Sequence, residues 1–409
     1  MSADAAASRV SRTGLIGALR RVWQPLVFAL LVGTTLWAYF TSHLAPGVFG
    51  FDFRGTLWEA ARALAHGTSP YPLPGSPQLA SGNPALYPPF AIAAVVPLSW
   101  LPWSLAVGVW TALEIAGAMA GTWLVGVRDW RCYCVVLTSL PFLQGLLYGN
   151  LTLLLLLGVG ASWHLRHRSG AGGFALGAVV AAKLFLWPLG VWALLQRRFA
   201  VSLVAAAAAL GLVLVPWAAI GFDGLREYPS LLRSAADLYG PHTSSFVGAG
   251  VGAGLSLGIA RWLPLLAAFL LLALAAVALR RADGDRRAFA ICVLAAIAGS
   301  PIVWTYYLVL LVAPIGVMRP RLSWLWGMLP AVYIVDRIHH PAVEGTRPPG
   351  TSPFAWGALH VAPSVWQSLG VGALLIVLAG AVLTIPATPR RVVVRQRTAS
   401  KSQPVVPPG

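Results

Sequence analysis

Long apolar runs alternate along this chain with short punctuation that is mostly arginine. The first run covers residues 22–44. It is too long for the apolar core of a signal peptide and has no clear cleavage site, so it reads as a retained membrane helix. A polar, turn-rich stretch over 45–86 follows. Within it, residues 54–66 place Leu57, Ala61 and Leu64 on one helical face and Glu59, Arg62 and His66 on another. That spacing predicts a helix lying along the membrane surface rather than across it. The Pro/Gly-rich residues 72–84 read as loop.

Tyr87-Pro88-Pro89 then opens a short apolar run that closes at Pro97, and a longer run covers 103–127. From there basic clusters recur at Arg128/Arg131, Arg166/Arg168, Arg197/Arg198, Arg280 to Arg287 and Arg319/Arg321. A helix crossing ~30 Å of hydrocarbon needs about 20 residues. The stretches 132–165 and 288–318 are too long for one pass and short for two. With both ends on one side, each predicts a hairpin of abbreviated helices, turning at Tyr148-Gly149-Asn150 and at Ser300-Pro301. Irregular backbone at membrane depth must line a cavity. Residues 171–195 fit either one pass or a very short hairpin with Lys183 at its turn. Residues 199–220 are a pass, 221–245 a second external loop, and a Gly-rich run at Gly248–Gly254 leads to a pass ending at Leu279. Residues 322–335 cross again, 336–360 form a third external loop, and 361–385 make the last pass. The pattern is all-α and polytopic, with about 10–12 membrane helices. Residues 22–385 form the membrane domain, flanked by basic tails over 1–21 and 386–409. No repeat of the kind that marks transporters is evident.

Composition agrees: 58% of the 409 residues are hydrophobic and 10% charged, against about 25% charged in soluble domains. These values exclude an ordinary soluble enzyme and a disordered chain. The net charge of +17 would suggest nucleic acid, but the arginines sit in the tails and in short inter-helix clusters. That is the positive-inside pattern, in which cations meet anionic lipid. It places both termini in the cytoplasm and makes the number of passes even. The three cysteines, Cys132, Cys134 and Cys292, lie in apolar segments and imply no disulfide framework. Most of the 18 tryptophans fit interfacial belts, and some could stack on sugars.

Twelve carboxylates are candidates for chemistry. Asp129, Asp283 and Asp285 sit in basic clusters and read as solvated partners. Glu114 lies inside an apolar run. Asp52 stands between Phe51 and Phe53 at a membrane boundary, either as the N-cap of the next helix or as a general base facing a cavity. Lys183 is the one lysine outside the C-terminal tail. A cation in an apolar segment costs about 2.5–3.5 kcal/mol, so it either snorkels to an interface or faces an anion such as phosphate. His339-His340 lacks the neighbouring ligands of a metal site and reads as an interfacial pair. No nucleotide-phosphate cradle, GxSxG or HExxH motif is present.

In order along the chain stand Phe51-Asp52-Phe53, Gly67-Thr-Ser-Pro70-Tyr71, Leu86-Tyr87-Pro88-Pro89 and Pro97. Tyr148-Gly149-Asn150, Lys183 with Pro188, and Ser300-Pro301-Ile-Val-Trp304-Thr-Tyr306-Tyr307 complete the series. Over residues 50–310 this resembles the C-type (GT-C) glycosyltransferases and, more closely, the bacterial polyprenol-phosphate-dependent mannosyltransferase family 87. Two positions depart from that pattern: Asn150 stands where Gln is frequent, and Tyr306 where the late motif carries His. The resemblance implies inverting transfer of a hexose, mannose first, from a polyprenyl-phosphate sugar to a glycolipid or glycan acceptor. The site would lie on the external face of the plasma membrane. It implies Asp52 as catalytic base, and Lys183, Arg54, Tyr71, Tyr87, Asn150, Trp304 and Tyr306 around the donor phosphate and substrates. No cofactor and no metal are expected. The alternatives are a transporter or flippase for a lipid-linked saccharide, against which the asymmetry of the long first loop argues, and a non-catalytic scaffold subunit.

Overall fold

The structure, a computed structural model, describes residues 3–44, 47–81, 83–337 and 365–386. Among them every regular element is helical. Helix α1, Ala3–His43, contains the first long apolar span, Trp23–His43, so the basic segment expected as a tail continues the helix. The chain then turns into a helical segment wound as a π-turn over Phe53–Glu59 and continuing as α2, Ala60–Ala65. Leu57, Ala61 and Leu64 are buried, whereas Glu59, Arg62 and His66 are exposed, as their spacing predicts. Their apolar face packs on two short helices, α3 (Pro89–Ala93) and α4 (Val96–Ser99).

Helix α5, Trp103–Leu124, is the second long span. Then come α6 (Trp130–Leu137), α7 (Leu140–Tyr148) and α8 (Thr152–His164). The last two meet at a bend of 119°, at the turn read from the sequence. Helices α9 (Ser169–Ala182) and α10 (Pro188–Leu195) are separated by Lys183, whose backbone is extended, and by a 3₁₀ turn over Leu184–Leu186. Helix α11 (Phe199–Ala219) is another long span. It is followed by α12 (Tyr228–Tyr239), α13 (Phe246–Gly252), α14 (Leu257–Ala260) and α15 (Leu263–Ala278). Helix α16 (Gly284–Ala298) gives way at Ser300-Pro301 to extended backbone, a 3₁₀ turn over Thr305–Leu311 and α17 (Val312–Met318). Helices α18 (Met328–Arg337) and α19 (Val365–Thr384) complete the bundle. Prolines at the first turns of α3, α4, α7, α10, α12 and α15 start these helices, because proline's fixed φ suits that position and its missing N–H is not needed there.

Among the described residues, five helices are long and apolar enough to cross a membrane alone. The other passages are assembled from short helices, which explains why hydropathy counts about twice as many. Helix α16 is buried on all sides from Arg287 to Ala298 and forms the centre. Helices α11 and α15 instead expose Leu203, Leu210, Phe269 and Leu270 outward, the faces that acyl chains cover.

The ambiguity over 171–195 is resolved by one carboxylate. Asp285 accepts hydrogen bonds from Arg166 Nε at 2.9 Å and from Arg198 at 2.8 Å. Both ends of the stretch therefore lie at the same end of the bundle, and the chain makes a short hairpin with Lys183 at its turn. Asp285, expected as a solvated partner, is instead an inter-helix clamp that also accepts from Trp192 Nε1. The same end gathers Asp129 with the Leu322 N–H, Arg281 with the Leu383 carbonyl, and Arg319 with the Pro386 carbonyl. Asn150, Lys183 and Ser300 lie at the opposite ends of the helices that start or finish there. Residues 221–245, expected as loop, contain α12, which packs its Tyr228, Leu231, Ala235 and Tyr239 inward. Most of the 336–360 loop, with His339, His340 and His360, the start of the 361–385 pass and most of the C-terminal tail lie outside the described residues.

Candidate active site

The turn at Gly149 makes the site possible. Gly149 ends α7 with φ +68°, a left-handed conformation that glycine adopts without Cβ strain. A Cβ there would also lie 2.8 Å from the Cβ of Phe53. The first loop thus reaches the turn closely enough for its backbone to bond. Gly50 N–H donates to the Leu147 carbonyl at 2.9 Å, and Trp110 Nε1–H donates to the Gly149 carbonyl at 2.9 Å. Phe53 stacks on Trp110 with ring centroids 4.6 Å apart. These contacts hold Asp52 opposite the next residue of the turn, Asn150.

Asn150 is buried and fully used. Its Nδ2 donates to Asp52 Oδ2 at 2.7 Å and to the Tyr87 hydroxyl at 3.1 Å. Its Oδ1 accepts from the Thr152 N–H at 3.0 Å and from Thr152 Oγ1 at 2.6 Å. Lys183 Nζ donates to that same Thr152 hydroxyl at 3.3 Å. A continuous polar chain therefore runs from the carboxylate to the ammonium. Tyr306 lines the same cavity and adds to the pull that favours the ionised Asp52. No side-chain cap bond is made by Asp52, which excludes the N-cap reading. Burial pushes its carboxyl above the usual carboxylate range, against the opposing pull of Asn150, Tyr306 and Lys183.

The Lys183 ammonium lies 3.8 Å from the Tyr307 ring centroid and 5.1 Å from that of Tyr87. Among the described residues it forms no ion pair with a carboxylate. Snorkelling is excluded as well, because Lys183 is only 9% exposed. A buried cation supported by ring faces and one hydroxyl would be offset by an anion brought beside it.

Asp52, Tyr87, Asn150, Lys183, Trp304 and Tyr306 all line one cavity of about 250 Å³. Arg54 and Tyr71 do not. Arg54 is exposed, pairs with Glu59 at 3.2 Å and lies over the Trp103 ring. Tyr71 stands behind the wall: its hydroxyl donates to the Tyr87 carbonyl at 2.9 Å, and its ring stacks on Trp217. It supports Tyr87 rather than the cavity. Thr152 and the α12 residues Tyr228, Leu232 and Tyr239 were not anticipated. Thr152 had a weak signal, an Asn two residues upstream whose side chain can bond backbone locally. The α12 residues had a better one, since positions 228, 231, 235 and 239 fall on one helical face. Asp52 is the one carboxylate lining the cavity among the described residues, and no three metal-ligating side chains converge there.

The model of glycosyltransferase family 87 matches residues 85–305, more than half of the chain. Asp52 lies upstream of that segment and is tied to it in space by Asn150. A polyprenol-phosphate-mannose-dependent alpha-(1-2)-phosphatidylinositol pentamannoside mannosyltransferase of Mycolicibacterium smegmatis (strain ATCC 700084 / mc(2)155) is 26% identical over 252 residues. The aligned segment is 56% of this chain and 57% of that relative, so the chain spans little more than half of the relative's length. No solved structure matches the chain. An all-helical bundle of apolar spans, a motif series in the expected order and a family model covering most of the site lead to one assignment: the chain belongs to glycosyltransferase family 87 and is a multi-pass membrane protein.

Proposed function

We propose that the protein transfers a hexose, mannose first, from a polyprenyl-phosphate donor to a hydroxyl of a glycolipid or glycan acceptor, with inversion at the anomeric carbon. The observation that carries this reading is the pairing, in one cavity, of a carboxylate and a cation that has no ion-pair partner among the described residues, joined through Asn150 and Thr152. Asp52 takes the proton from the acceptor hydroxyl as its oxygen bonds to the anomeric carbon. The bond from that carbon to the phosphate oxygen breaks, its electron pair leaves with the polyprenyl phosphate, and Lys183 balances the charge that grows there. Attack from the side opposite the phosphate inverts the centre. The cavity is slightly below the usual ~300–1,000 Å³ of ligand pockets, which suits one monosaccharide with its phosphate. Its apolar wall, with Leu184, Phe185 and Ile302, suits the first units of a polyprenyl chain.

The positive-inside rule puts the arginine-rich end in the cytoplasm. The cavity lies at the other end and therefore faces outward, where a lipid-linked donor reaches it without a nucleotide. The test is transfer of radiolabelled mannose from a polyprenyl-phosphate donor by the purified chain in lipid nanodiscs, with membrane glycolipids as acceptors. Mannose-labelled lipid that appears with this donor, and is absent with GDP-mannose alone, is the expected result. Label incorporated from the nucleotide sugar alone would overturn the donor assignment.

A further inference from the structure

Lys183 sits where α9 stops, its backbone extended between that helix and the 3₁₀ turn over Leu184–Leu186. Its ammonium is attracted from two directions within the cavity wall. One is the Thr152 hydroxyl at 3.3 Å, a long bond to an oxygen whose own proton goes to Asn150. The other is aromatic. The centroid of the Tyr307 ring is 3.8 Å from Nζ, and those of Tyr87 and Phe185 are 5.1 and 5.7 Å away. A cation over a ring face is drawn to the ring's quadrupole, and more strongly where water is excluded. Tyr307 is the nearest of the three.

Asp52 competes for the same charge. In the polar chain only Asn150 and Thr152 stand between the two groups, and the carboxylate is near enough to act on the ammonium electrostatically. Opposite charges attract far more strongly in a buried site than in water. Yet Asp52 and Lys183 form no ion pair. The turn that carries Tyr307 explains how the ring can hold the ammonium back. Tyr306 and Tyr307 are neighbours on the 3₁₀ turn over Thr305–Leu311, which packs on α7 and α8. At three residues per turn, neighbouring side chains diverge by about 120°. Tyr306 accordingly meets Tyr148 edge to face, while Tyr307 faces Lys183. Phe185, from the turn that follows Lys183, stacks on the Tyr307 ring with centroids 5.3 Å and planes 9° apart, which fixes the plane of that ring.

We propose that Tyr307 is a positioning residue: its ring face holds the Lys183 ammonium away from Asp52, on the side of the cavity where the donor phosphate is bound. This rests on the phosphate role proposed above for Lys183. A ring face suits the task because it stabilises a cation without neutralising it. A direct ion pair with Asp52 would instead cancel the charge meant for the phosphate and occupy the base at the same time.

The test titrates the full chain in neutral detergent with geranylgeranyl phosphate, a short prenyl monophosphate, and follows the melting temperature. Tyr307→Leu should weaken this binding about tenfold, whereas Tyr307→Phe, which keeps the ring, should stay within about twofold of wild type. In an Asp52→Asn background the ammonium has no carboxylate to move to, so Tyr307→Leu should there cost less than about threefold. A residue that only fills space would cost the same in both backgrounds, and that result would overturn the proposal. So would undiminished binding in Tyr307→Leu, or an equal loss in Tyr307→Phe, which would assign the effect to the hydroxyl. If Tyr307→Leu melts well below wild type without ligand, pentafluorophenylalanine at position 307 takes its place. It keeps the ring's shape, reverses the quadrupole and should show the same loss and the same dependence on Asp52. Lys183→Met tells the two readings apart. Wild-type affinity in that variant removes the phosphate role itself, whereas weak binding there alongside full binding in Tyr307→Leu removes the role of Tyr307 alone.

Discussion

Replacing Asp52 by asparagine separates chemistry from architecture. The substitution keeps the size of the side chain and retains an oxygen that accepts the hydrogen bond now given by Asn150 at 2.7 Å. It removes the negative charge and the basic lone pair. A charge-assisted hydrogen bond becomes a neutral one, a loss of about 1 kcal/mol, and the cost of burying a carboxylate disappears with it, so stability should change by less than about 1 kcal/mol. A positioned base contributes typically 10²–10⁴-fold in rate, or about 3–5.5 kcal/mol of barrier at 1.36 kcal/mol per decade. The two effects are unequal enough to be read separately. The assay is the initial rate of mannose transfer at saturating polyprenyl-phosphate donor, alongside a melting curve of the same preparation. Asp52→Asn should melt as wild type and transfer at least about 100-fold more slowly. Glu59→Gln, in the exposed pair with Arg54, should stay within about twofold of wild type. In the wild-type enzyme, burial raises the Asp52 carboxyl above the usual carboxylate range. A base works only when deprotonated, so activity should fall as pH drops through a value above that range. A folded Asp52→Asn variant that keeps more than about a tenth of wild-type turnover would refute the role of Asp52 as base.

Thr152→Val keeps the shape but removes the hydroxyl shared by Asn150 and Lys183. About tenfold lower kcat is expected from the loss of a buried hydrogen bond, with recovery in Thr152→Ser, measured by the same transfer assay. Lys183→Met should lose donor use far more than protein abundance, and Lys183→Arg should keep part of the activity; full activity in Lys183→Met would remove the phosphate role. Gly149→Ala meets both the left-handed backbone and the Cβ of Phe53 at 2.8 Å, so melting temperature and transfer should both fall. Asp285→Asn leaves Arg166 and Arg198 without their shared carboxylate. Breaking such a pair costs about 3–5 kcal/mol when fully buried, and the 25% exposure of Asp285 places the expected loss at the lower end of that range in a melting curve.

The apolar periodicity alone determined the class of molecule, because no soluble packing accommodates so many uninterrupted apolar runs. It also located the helical face of Leu57, Ala61 and Leu64 and the turns at Gly149 and Ser300, since local rules of helix spacing and of chain reversal suffice for both. Asp52 and Lys183 stood out because a charge in apolar surroundings is costly wherever it occurs. What local rules could not supply was distance. Asp52 and Asn150 are separated by 98 positions, and nothing in either neighbourhood says that they meet. Arg54 shows the converse: it lies two residues from Asp52, yet the turn of the helix carries it outward to Glu59. The direction of 171–195 was likewise undecidable from hydropathy, because a single pass and a short hairpin have the same apolar length. Only the shared bonds of Arg166 and Arg198 to Asp285 bring the two ends together. The tertiary structure decided α12 for a related reason: its polar outer face reads as loop until its tyrosines are seen against the cavity wall. Sequence fixes what each segment tolerates around it, and packing alone selects which distant segment supplies it.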